Sequence, residues 1–263
     1  MKNLRSRIRS ANSTLQLTKA MGLVASSKIR RALTAMTNGR EYAAAFEEAI
    51  RLLTASPDCA RSPYMMPRET DRTRLIVIAG DRGMAGGYNA NLFRLAATFP
   101  DAQKLPIGKR ACDRFGGELI SSEHFSAADA SEWAKKLCED FVKGEYDRLG
   151  ILHTRYVSMM TQEPVVSWIL PLTAEKSSGS TAVLFEPGER EVLDTAVPSY
   201  VTGQIMAAVR ESFACEVAAR RTAMDAAGKN AQQMIDELQL AYNRARQGAI
   251  TQEITEIVAG GNA

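Results

Sequence analysis

The sequence predicts an α/β protein in which long N- and C-terminal helices form an antiparallel coiled coil, with a small, mainly parallel α/β domain inserted between them. Three observations carry this. Residues 2–54 and 199–263 contain no proline, and apolar residues in both stretches recur at steps of three and four. The middle of the chain alternates short apolar runs with helical patterns, as strand–helix–strand units do. Neither terminal helix can bury its apolar stripe alone, so the two are expected to pack on each other. The expected boundaries are 1–55, 56–195 and 196–263.

The N-terminal stripe reads Leu4, Ile8, Ala11, Leu15, then Leu17, Met21, Val24, then Ile29, Leu33, Met36, Ala43, Phe46, Ile50 and Leu53. A helix over 2–54 would be ~75 Å long, against ~35–40 Å for a globular domain of this length. Such a helix must project or bend, and Asn38-Gly39 is the expected weak point. Ser56-Pro57 closes it, and residues 56–73, rich in Pro, Ser, Asp and Arg, read as a linker.

In the middle, Leu75 to Ala79 form a continuous apolar run typical of a strand covered on both faces. A glycine-rich turn, 80–87, leads into a helix over 88–99. A strand at 104–107 is followed by helices at 109–115 and 131–142, and strands are expected at 149–157 and 165–170. The last stripe reads Ile205, Val209, Met234, Leu238, Ala241 and Ala245, then Ile250, Ile254 and Ile257. Gly228 and Gly248 should interrupt that helix, each costing ~1 kcal/mol relative to Ala. Gly260-Gly261 should end it.

Composition excludes several function classes. The chain has 263 residues and a net charge of +3, but the charge is unevenly spread. Residues 1–40 hold nine Lys or Arg and no acid, which suits an acidic partner. Nucleic-acid binding is disfavoured because no aromatic residues interleave that block and no known module is present. Cys59, Cys112, Cys138 and Cys215 form no CxxC pair and fit no metal site, so they read as structural thiols in a reducing compartment. No signal peptide and no run of 18 apolar residues is found. The glycine-rich turn lacks GK[ST] and GxGxxG spacing, so it reads as a tight connection rather than a phosphate loop. His124 and His153 belong to no recognisable catalytic set, and no cofactor is expected.

The most informative stretch runs from Glu216-Val217-Ala218-Ala219-Arg220-Arg221 through Met224-Asp225 to Arg244-Ala245-Arg246-Gln247-Gly248 and Thr251-Gln252-Glu253-Ile254. It resembles the gamma subunit of the F-type ATP synthase. So do Ile8, Thr18-Lys19-Ala20-Met21 and Val24-Ala25-Ser26-Ser27-Lys28 near the start, and Asp81-Arg82-Gly83 with Gly86-Gly87 and Asn89 in the middle. The matches lie in family order along the whole chain, with 100–190 matching weakly.

The resemblance implies a non-catalytic central-stalk rotor of a proton-translocating ATP synthase. Its coiled coil would turn inside a hexamer of alpha and beta subunits, and its α/β domain would meet epsilon and the membrane c-ring. Rotation of the ring would then drive conformational change at the catalytic beta subunits. By the same resemblance, Met21, Arg246, Gln247 and Thr251 match positions that contact beta and couple rotation to catalysis. Gly22 and Gly248 stand where the family usually has a larger residue or Ala, which implies a more flexible shaft. No cysteine-bearing regulatory insertion of the chloroplast kind is present. The Met1 start without a transit peptide suggests a bacterial protein, peripheral on the cytoplasmic face of the plasma membrane. The rival readings are an unrelated coiled-coil scaffold, a nucleic-acid binder and a nucleotide-binding enzyme.

Overall fold

The computed structural model describes residues 2–66, 68, 72–174 and 185–260. Helix α1 spans Lys2–Thr54 and helix α5 spans Glu189–Gly260. Between them lie β1 (Thr73–Ile78), α2 (Tyr88–Ala96), β2 (Gln103–Ile107), α3 (Lys109–Phe115), α4 (Ala127–Val142), β3 (Arg148–Tyr156) and β4 (Gln162–Leu170). The chain divides into two compact units, one of residues 1–26 with 220–263 and one of residues 27–219.

In the first unit, α1 and α5 are antiparallel neighbours. Gly22 faces Met224 and Asp225, Gly228 faces Thr18 and Leu15, and Arg5 donates to the Tyr242 hydroxyl at 2.6 Å. The buried α1 positions are Ala11, Leu15, Thr18, Gly22 and Ala25, spaced alternately four and three apart. From α5 come Met224, Ala231, Ile235 and Leu238. This is a heptad seam of mostly small residues, which lets two backbones approach closely.

The seam corrects the sequence reading by one position. Leu17 and Val24 are exposed, and Met21 is half-buried beside Gly22. Met234 is exposed while its neighbour Ile235 is buried. Ala241, Ala245, Ile250, Ile254 and Ile257 are exposed as well. Successive helical residues lie 100° apart, so a stripe read from hydrophobicity alone can turn by one residue. Small Gly and polar Thr score poorly as core, yet close packing selects them here.

The second unit is built on a four-stranded sheet in the order β2-β1-β3-β4. β1 pairs in parallel with β2 and β3, and β4 is antiparallel to β3. The sheet is therefore mainly parallel, as the alternating pattern predicts. Leu75, Ile76, Val77 and Ile78 are fully buried, because β1 is central and covered on both faces. One face meets Leu92, Ala96 and Ala111 from α2 and α3. The larger core joins Phe141 and Leu137 of α4 to Ile50 and Leu53 of α1 and to Leu193, Val197, Val201 and Ile205 of α5.

Several boundaries moved. α5 starts at Glu189, before Pro198, which sits inside the helix. Leu193 and Val197 are fully buried there, so tertiary packing outweighs the proline's helix penalty. α4 starts at Ala127, earlier than its apolar pattern, because Ser126 and Asp129 form a capping box. At the start of the 56–73 segment, Pro57–Arg61 make a 3-10 turn, and Cys59 and Tyr64 are buried.

α1 runs unbroken through Gly39, and α5 through Gly228 and Gly248. Gly39 is a close-approach point, since an added Cβ would lie 3.1 Å from Arg210 Cδ and 3.5 Å from Ala207 Cα. Gly228 lies under Thr18, whereas nothing stands within 4 Å of a Cβ at Gly248. α5 is described as far as Gly260, and Gly261 lies outside the described residues. His153, on β3, is buried, 7% exposed.

Candidate functional site

The sequence-predicted contact residues all fall in the helix-pair unit. Arg246, Gln247 and Thr251 are exposed on α5, and the Thr251 hydroxyl donates to the Gln247 carbonyl at 2.9 Å. That bond follows from their spacing of four, which stacks them on one helical face. Met21 does not join them. Gly22, next to it, faces Met224 and Asp225, so about 20 residues of α5 separate the two places, roughly 30 Å along a helix.

Because Arg5 lies against Tyr242, the last turns of α5 run past the described start of α1. Ile250, Ile254 and Ile257 are 47%, 56% and 74% exposed on those turns. Apolar residues at helical spacing that stay exposed among the described residues form a candidate interaction face. The stretch therefore offers apolar and polar side chains together.

The glycine-rich turn belongs to the second unit and has an internal task. Asp81 accepts hydrogen bonds from the backbone N–H groups of Lys109 (2.9 Å), Ser122 (3.0 Å) and Glu123 (3.1 Å) and from the Ser121 hydroxyl (2.6 Å). Burial pushes its carboxyl pKa up, but these four bonds outweigh that and hold it below the ordinary value. Asn89 accepts from Gly80 N–H at 3.0 Å, and Tyr88 donates to the Ser212 carbonyl at 3.0 Å. The motif thus ties β1 to α3, to the 121–123 loop and to α5.

Lys28 bonds Glu123 at 2.5 Å and, with Arg82 behind it, keeps that carboxyl pKa low. Nearby, a half-open cleft of about 770 Å³ is edged by Lys28, Arg31 and Arg210 over Met206, Val209 and Phe213.

Two sets of residues escaped the sequence reading. One is the Arg5–Tyr242 lock of the helix pair. The other is an ion pair between Arg40 and Glu211 at 2.5 Å. Only the i, i+4 and heptad patterns are visible in one sequence, and neither relates residues so far apart.

The fold by itself defines a class: chains whose two termini form a long antiparallel helix pair and whose middle is an α/β unit. The family model described as ATP synthase matches residues 1–263. The chain belongs to the gamma-chain family of the F-type ATP synthase. It is 38% identical to the ATP synthase gamma chain of Moorella thermoacetica, covering 100% of this chain and 98% of that one. It is 37% identical to the sodium-ion-specific ATP synthase gamma chain of Acetobacterium woodii, with the same coverage. Among solved structures, a chain of the Euglena gracilis mitochondrial ATP synthase (OSCP/F1/c-ring, rotational state 3) shares the fold, with a TM-score of 0.68 at 16% identity, covering 100% of this chain and 93% of that one.

Proposed function

We propose that this chain is the non-catalytic central-stalk rotor of a proton-driven ATP synthase, coupling rotation of a membrane c-ring to conformational change at catalytic beta subunits. The observation that carries the reading is the uncovered C-terminal stretch of α5, where Arg246, Gln247 and Thr251 accompany Ile250, Ile254 and Ile257. A surface of this kind suits a surrounding sleeve of alpha and beta subunits, and the basic N-terminal block suits acidic segments on that sleeve. Met21 is proposed as a second contact with beta. The α/β unit would meet epsilon and the ring.

No helix among the described residues is long and apolar enough to cross a membrane. Attachment to the cytoplasmic face of a bacterial membrane would therefore come through the other subunits. The test is reconstitution with alpha and beta subunits and the membrane sector. Assembly with ATP synthesis driven by a pH gradient is expected. Synthesis driven only by a sodium gradient would overturn the proton assignment, and failure to assemble would overturn the rotor reading.

A further inference from the structure

Torque passing between an α/β unit and two helices needs contacts that resist tangential sliding. Apolar packing is non-directional and proportional to area, whereas hydrogen bonds fix both distance and angle. Within the second unit, directional contacts from both terminal helices converge on the end of β3. Arg40 of α1 donates to the Tyr156 carbonyl at 3.0 Å and to Glu211 Oε1 of α5 at 2.5 Å. The same Glu211 oxygen accepts the Tyr156 N–H at 2.7 Å. One arginine, one glutamate and the main chain of one residue, Tyr156, thus close a ring across three elements distant in sequence.

Neighbouring contacts reinforce that ring. Ser212 Oγ accepts from Thr154 N–H at 3.3 Å, and Cys215 Sγ lies 3.3 Å from the Thr154 carbonyl. The Ser212 carbonyl accepts from Tyr88 of the glycine-rich motif at 3.0 Å. Gly39, adjacent to Arg40, lets Arg210 and Ala207 of α5 approach α1 closely. The Tyr156 ring packs on Ala32, Met36 and Ala214. The Glu211 side chain is only 9% exposed and the Arg40 side chain 44%, so the pair is charge-assisted and partly shielded from salt.

We propose that Arg40, Glu211 and the Tyr156 main chain form a torsional clamp, by which the α/β unit grips both terminal helices so that neither slips under load. Arg40 and Glu211 act as positioning residues for rotary coupling, and the proposal rests on the rotor reading above. A residue that only stabilises the fold would lower the amount of working complex. A clamp residue lowers the ions moved per ATP, and more so as the opposing gradient rises.

The test uses the full complex in sealed vesicles, with ATP-driven ion pumping and ATP hydrolysis measured together at increasing opposing ion gradient. Arg40→Ala complexes should hydrolyse ATP within about twofold of wild type, while ions pumped per ATP fall at least about threefold at high gradient and little at low gradient. Arg40→Lys keeps a charge and donors and should recover most of the loss. Glu211→Gln keeps the shape and the acceptor for Tyr156 N–H, so it reads the clamp even if Arg40→Ala does not assemble. Wild-type ion-to-ATP ratios in Arg40→Ala, or in Glu211→Gln where Arg40→Ala does not assemble, at every gradient would overturn the clamp and leave the rotor reading standing. Failure of the wild-type chain itself to couple would overturn both.

Discussion

The helix-pair unit buries Ala11, Leu15, Ala231 and Ile235, while the α/β unit buries Phe141, Tyr146, Leu75, Ile76 and Leu152 among many others. The first gains close backbone approach but little apolar area per residue. The second gains a core covered on both faces of a sheet. Polar contacts follow the same division. The pair carries a lock such as Arg5–Tyr242 at its surface. The α/β unit carries buried polar groups such as Asp147, which receives bonds from Arg72, and Glu211. The helix pair holds together by close backbone approach, and the α/β unit by a large apolar core.

The contrast predicts a large effect of one cavity in the α/β unit. Phe141 is fully buried, with Tyr64 and Tyr146 against its ring and Arg68 4.0 Å from the ring centroid. Phe141→Ala should cost about 4 kcal/mol and lower the denaturation midpoint of the α/β unit. A loss under about 1 kcal/mol would mean that this core is as loosely built as the helix pair.

In the helix pair, Ile235→Ala should cost about 3 kcal/mol, because Ile235 is 2% exposed in a cluster whose other members are Ala11, Leu15 and Ala231. The loss should be local. Faster hydrogen exchange near 11–15 and 231–238, with β1 amides unchanged, is the expected pattern. Uniform loss of protection across the chain would show one cooperative unit instead.

Gly248→Ala sharpens the comparison from the stabilising side. Nothing lies within 4 Å of the added methyl, so the variant should gain about 1 kcal/mol of local helix stability. Amide protection over 244–252 should rise, and torsional stiffness with it. Unchanged stiffness would sink the idea that this glycine loosens the shaft.

The mildest expected effect is a pH dependence confined to the α/β unit. Burial lowers the His153 pKa below 6.5, against an opposing pull from Glu211, and Ser167 Oγ lies 3.1 Å from its Nε2. The folded state therefore keeps this imidazole neutral, while the unfolded chain takes up a proton as pH falls through about 6.5. The unfolded state then binds more protons, so stability should drop below that pH. His153→Gln should flatten the decline in urea titrations between pH 7 and 5. An identical slope in the variant would assign the decline to other groups.

Much of the architecture was legible. The proline-free stretches gave both terminal helices, and the run from Leu75 to Ala79 gave the central strand. The strand–helix alternation gave a mainly parallel sheet. The proposed contact residues come only through resemblance, since Arg246, Gln247 and Thr251 look like ordinary exposed helix residues. The structure keeps them exposed and separates them from Met21. Pro198 misled the start of α5, because a local breaker signal cannot register the burial of Leu193 and Val197 around it.

By itself, the sequence determined which segments are helix or strand, because periodicity and backbone propensity are local. It also determined the charge of the N-terminal surface and, through its motifs, the family. Only the tertiary structure decided that Gly22 and Ile235 form the seam rather than Met21 and Met234. One residue turns a helix by 100°, and the facing helix selects which side is covered. Only the tertiary structure brought Arg40 to Glu211 and Asp81 to the 121–123 loop. Those contacts depend on how distant segments meet, and no spacing along the chain encodes them.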